Sequence, residues 1–142
     1  MSSLDVDKLI AALGNEDNEC VMEMTYEKIS KMKNDILQRL RLSPEELKSM
    51  HSKLKAYRFV DELPELKYGT YIRWIPLTDP ENIKLTSGGI VCEMKVGDDG
   101  IVVTCKNRYN RMFSIKMQEN LIFQKMTDQE RVLISALSYL NA

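Results

Sequence analysis

The chain has 142 residues, with 20 basic and 21 acidic side chains, 44% hydrophobic residues, six glycines and four prolines. That composition excludes a disordered chain, a collagen and a disulfide scaffold. A formal net charge of −1 argues against a histone-like or membrane-surface role, since both need a large positive excess.

The first sixty or so residues carry a helical period. Leu4, Val6, Leu9, Ile10 and Leu13 recur three and four apart, and Gly14 stops the run. Asn15 to Asn18 are positioned to cap a long second helix with Met22, Tyr26, Ile29, Met32, Ile36 and Leu40 along one face. Ser43-Pro44-Glu45-Glu46 is the sharpest local signal: serine as N-cap, proline at the first helical position and glutamate three residues after the serine. It predicts a third helix from Pro44, with Leu47, Met50, Leu54 and Tyr57 on one side and an antiparallel hairpin with the second helix.

From Leu66 the period changes to two. Strands are predicted at 71–75, 90–96, 101–106, 112–117 and 121–124. Gly97-Asp98-Asp99-Gly100 reads as a hairpin turn that pairs Val96 with Ile101, Met94 with Val103 and Cys92 with Cys105. Carried across the 107–111 loop, the same register sets Phe113 opposite Cys105 and Ile115 opposite Val103. On the first strand Ile72 and Trp74 share one face and Tyr71, Arg73 and Ile75 the other, so both faces should be covered. Thr127-Asp128-Gln129-Glu130 is a second capping box, opening a terminal helix that should cover one end of the sheet structure.

The fold class expected is therefore α+β: about three N-terminal helices over 1–62, then a small five-stranded antiparallel β-barrel with a C-terminal capping helix over 63–142. Residues 1–62 carry 12 acids and 10 bases, residues 63–142 nine acids and 10 bases, so neither part is polarised enough to coat DNA nonspecifically. The strand count and spacing, and the Leu66-Lys-Tyr-Gly-Thr-Tyr-Ile72 entry to the first strand, resemble the Src-homology-3, Tudor and KOW small barrels over about residues 65–126. Separately, Tyr71 to Leu77, Asn82 to Ile90 and Leu121 to Glu130 resemble small proteins of nucleocytoplasmic large DNA viruses, from about Phe59 onward. That resemblance implies a viral factory in the host cytoplasm, or the virion, and brings no catalytic residue with it.

Three cysteines (Cys20, Cys92, Cys105) and one histidine (His51) are too few and too scattered for a zinc site, and free thiols are expected. His51 is the only histidine available as a base and sits beside an apolar stripe. Asp98 with Asp99 and Asp79 with Glu81 are loop pairs lacking a histidine or a third acid at fixed spacing. No catalytic signature is found, and no cofactor is expected. No apolar run approaches the ~20 residues of a membrane helix, and Met1 to Lys8 hold no hydrophobic signal core, which predicts a cytoplasmic protein without membrane contact.

Two surfaces remain. Lys106, Arg108, Tyr109 and Arg111 on one hairpin loop, with Arg73 and Trp74 on a neighbouring strand, combine cations and aromatics suited to a phosphate backbone and a stacked base. The stripe Met22, Tyr26, Ile29, Met32, Ile36 and Leu40 suits packing on another chain, a protein partner or a second copy. The leading expectation is a non-enzymatic scaffold acting through protein–protein contacts. The alternative is a small-barrel protein that binds nucleic acid through 106–111.

Overall fold

The computed structural model describes residues 6–141. Its elements run α1 (Val6–Leu13), α2 (Tyr26–Gln38), α3 (Pro44–Lys53), β1 (Tyr57–Val60), β2 (Tyr71–Pro76), β3 (Gly89–Gly97), β4 (Gly100–Lys106), β5 (Met112–Lys116), β6 (Asn120–Lys125) and α4 (Asp128–Leu140). Short 3-10 turns at Glu16–Val21, Leu63–Glu65 and Met117–Glu119 join them. Leu4, expected at the start of the first stripe, lies outside the described residues.

The predicted long second helix is two elements. Asn15 caps the 3-10 turn by accepting from the Asp17 backbone N–H at 3.0 Å. Thr25 then takes an extended conformation (φ −120, ψ 164), and its hydroxyl accepts from Lys28 N–H at 3.2 Å, opening a new helix. That helix ends at Gln38, and Arg41 in the left-handed region (φ 55) turns the chain, which leaves Leu40 outside it. The helix opened by Ser43 starts where expected, with the serine hydroxyl accepting from Glu46 N–H at 3.2 Å. It stops at Lys53, and Tyr57 begins a strand instead of continuing the helical stripe.

The sheet is antiparallel with six strands in the order β1-β6-β2-β3-β4-β5. β1 and β5 are its edges, so it is not closed into the expected five-stranded barrel; the additional strand, β1, pairs with β6 (Tyr57 opposite Lys125, Val60 opposite Ile122). Val96 pairs with Ile101, Met94 with Val103, Phe113 with Cys105 and Ile115 with Val103, as the alternation predicts. A bulge between Val91 and Glu93 shifts the rest of the ladder, so Cys105 faces Val91 rather than Cys92. Cys92 is exposed while Cys105 is fully buried.

Both faces of β2 are covered. Ile72 and Trp74 join Val60, Leu66, Val91, Val103, Cys105 and Ile122 in one core cluster, to which no α-helix contributes, so the sheet must curl over this face itself. Ile75 joins Leu121, Phe123 and Tyr57 on the other face, under Leu37, Met50 and Leu54 of the α2–α3 hairpin. Each such fully buried aliphatic or phenyl side chain contributes roughly 1.5–3 kcal/mol. The terminal helix is capped by Thr127 and Glu130 as predicted, but it packs on the N-terminal elements: Leu133 and Ile134 meet Ala12, Val21, Ile29 and Met126 in a third cluster.

A buried polar cluster ties these layers together. Arg58 on β1 meets Glu130 on α4 at 3.0 Å, and Lys67 also pairs with the Glu130 carboxylate. Lys67 Nζ donates to Asn18 Oδ1 at 2.9 Å and its backbone N–H to Gln124 Oε1 at 2.8 Å. Arg58 Nη2 also donates to the Glu65 carbonyl at 2.6 Å, while its Nη1 is the one buried side-chain polar atom left without a partner among the described residues.

Candidate nucleic-acid interface

The hairpin tip between β4 and β5 is built by Asn107. Its side-chain oxygen accepts from the backbone N–H of Tyr109 at 2.9 Å and of Arg111 at 3.0 Å. Asn110 takes the left-handed conformation (φ 63) that lets the chain return. These bonds fix the backbone and leave the Arg108, Tyr109 and Arg111 side chains exposed. Arg108 Nη2 donates to the Tyr109 hydroxyl at 2.8 Å, with the guanidinium carbon 4.9 Å from the ring centre.

A second wall comes from β2 and the segment leading into β3. Thr86 N–H donates to the Trp74 carbonyl at 3.0 Å, and Arg73 Nε donates to the Thr86 carbonyl at 2.8 Å, folding that segment against β2. The Tyr71 hydroxyl donates to the Ser87 carbonyl. Gly88 sits at φ +87, and a Cβ there would lie 2.1 Å from the Ile72 carbonyl oxygen, so only glycine fits this close crossing.

Between the walls lies a pocket of about 320 Å³ lined by Tyr57, Tyr71, Arg73, Ser87, Gly88, Asn107, Arg108 and Tyr109. It holds two arginines, three tyrosines and no carboxylate. Arg73 is half-buried, and among the described residues its Nε bond to Thr86 is the one hydrogen bond its guanidinium makes. The Tyr57 hydroxyl is pushed above its usual range, first by burial, against the opposing pull of the Arg73 charge. The terminal N–H groups of Arg73 are what a phosphate would meet there.

The pocket brings together Arg73, Arg108 and Tyr109. Lys106 and Arg111 sit on the same hairpin, exposed, but do not line it. Trp74 is corrected: it is 7% exposed inside the core and offers no platform. Tyr57 and Tyr71 are the residues sequence reasoning missed. Tyr71 was accessible through strand alternation, which puts it on the Arg73 face, whereas Tyr57 was hidden by its place on a helical stripe.

The helical surface does not survive as a stripe. Ile29 is buried in the third cluster, and Ile36 and Leu40 pack on the second. Met22, Tyr26 and Met32 are partly exposed, and Tyr26 is engaged internally, its hydroxyl 3.1 Å from Ser135 Oγ and its backbone N–H donating to Ser138 Oγ. The inward face of α2 is Ile29, Lys33 and Leu37, with Lys33 Nζ donating to the Leu54 carbonyl at 3.0 Å.

Among the described residues no group of three histidine, cysteine or carboxylate side chains could hold a metal ion, and no helix is long and apolar enough to cross a membrane. The fold class is thus α+β, an open six-stranded antiparallel sheet with helices against it. Comparison with known proteins yields no matching family model, no matching curated protein and no matching solved structure.

Proposed function

We propose that this chain is a non-enzymatic module that binds single-stranded nucleic acid at the pocket between β2 and the 107–111 hairpin. The observation that carries it is the lining: arginines from two separate segments converge with three tyrosines, and no acidic group competes for them. Arg73 and Arg108 hold phosphates, the exposed Tyr109 offers a ring face, and Lys106 and Arg111 extend the track along the hairpin. The helical stripe is a poorer partner surface, because half of its six residues pack inside the chain. On the sequence resemblance, the setting is a viral factory in the host cytoplasm or the virion.

The test is fluorescence anisotropy with mixed-sequence DNA and RNA single strands of about 12 nucleotides. Three or four neutralised phosphates give a log-log salt slope of about −2 to −3. Replacing Arg108 and Arg111 together with glutamate should weaken binding by at least ~10-fold at low salt. Unchanged affinity in that variant, or no binding by the wild type at low salt, overturns the proposal.

A further inference from the structure

A larger concavity lies elsewhere, a cleft of about 870 Å³ between the 3-10 turn Glu16–Val21, the segment before β2 and the start of α4. Leu63, Pro64, Leu66 and Met94 give it an apolar wall, and Gln129 Oε1, accepting from Asn15 at 2.7 Å and Asn18 at 2.9 Å, fixes one side. Its rim carries Glu16, Asp17, Glu19 and Asp128, all exposed and none ion-paired among the described residues. The single cation in its lining, Lys67, is committed inward to Glu130 and Asn18. The cleft therefore has a negative mouth over an apolar wall.

The 107–111 hairpin has the opposite character: Arg108 and Arg111 flank Tyr109, which is 67% exposed. We infer that the acidic cleft takes the hairpin tip of a second copy of this chain. The arginines meet the rim carboxylates and the tyrosine ring meets the apolar wall. A net charge of −1 sets up little general repulsion between copies. The two surfaces share no residue, so the contact is head-to-tail and extends into an open chain or, where the rotation between copies closes, a ring. A hairpin tip buries little area, so the association is weak and salt-sensitive. The inference uses the same hairpin as the nucleic-acid reading without resting on it, and the two compete for Arg108 and Tyr109.

Sedimentation velocity of the full chain tests this, with circular dichroism confirming that each variant is folded. At low salt the weight-average sedimentation coefficient should rise with protein concentration without levelling at a dimer, and high salt should abolish the rise. Arg108→Glu with Arg111→Glu should remove it, as should Glu16→Lys with Glu19→Lys, each weakening association at least ~10-fold. Mixing the two variants should restore association, because the unaltered basic hairpin of one then meets the unaltered acidic cleft of the other. A wild type that stays monomeric, a plateau at dimer, or a mixture that fails to assemble overturns the inference. None of these outcomes depends on whether the strand-binding assay succeeds.

Discussion

Arg58 on β1 and Glu130 in the first turn of α4, 72 positions apart in sequence, meet at 3.0 Å with side-chain exposures of 1% and 0%. Glu130 simultaneously caps its own helix through Thr127 N–H at 3.2 Å and holds Lys67. One carboxylate thus fixes where the edge strand, the segment before β2 and the last helix stand relative to each other. Replacing Glu130 with alanine strands two cations and should cost about 3–5 kcal/mol in urea unfolding. The double change Arg58→Met with Glu130→Leu should cost clearly less than the sum of the single changes. Additive losses would show that the pair is not coupled.

The same carboxylate sets an acid limb. Burial alone would raise it, but the hydrogen bond and charge of Arg58, followed by those of Lys67, outweigh burial and hold it below its ordinary 4.5. A depressed folded value means the stabilisation is complete above 4.5 and is lost as pH falls through the folded value. Unfolding free energy measured down the acid range should therefore drop more steeply for the wild type than for Glu130→Gln.

Lys33 gives an alkaline signature of the same sign from a different cause. Burial holds its ammonium below the usual 10.5. Between the folded value and 10.5 the native chain has released a proton that the unfolded chain keeps, so this residue makes stability rise with pH across that window. Lys33→Met should lose that rise in urea titrations.

Cysteine reactivity should follow the bulge. Cys92 is exposed, Cys20 is half-buried with its thiol pushed up by desolvation, and the Cys105 thiol is pushed up to about 12. A short iodoacetamide pulse on native protein should label Cys92 first and leave Cys105 unmodified, as read by mass spectrometry. Label on Cys105 before unfolding would contradict the placement.

Gly88→Ala should destabilise by more than ~1 kcal/mol, because the positive φ and the Ile72 carbonyl both oppose a side chain. Loss of strand binding in excess of the folding defect would locate the pocket as well, since Gly88 lines it.

What the sequence made legible was local. The Ser43 and Thr127 boxes, the Gly97 to Gly100 turn and the Met94–Val103 register depend on neighbours a few residues away, and each stands as read. The hairpin cluster and Arg73 were likewise visible as residue types. The bulge beside Cys92 was not, because a single inserted residue leaves the apolar alternation on each side intact. β1 was hidden because Tyr57 satisfies a helical spacing from Leu54 and Met50 as well as a strand, and only its pairing with β6 decides. Nothing local marks Lys33 for burial; the Leu54 and Lys55 carbonyls just beyond α3 draw it inside.

The strand order carries one more consequence. β6 lies between β1 and β2, so the earliest and next strands have no ladder between them until the penultimate element arrives. During synthesis the growing chain can form its helices and the β3–β4–β5 meander, but the sheet's centre stays open until residue 125 has left the ribosome. Nascent copies therefore carry two orphan edges from the completion of β2 until β6 follows, and a chaperone bound there would be released by that strand.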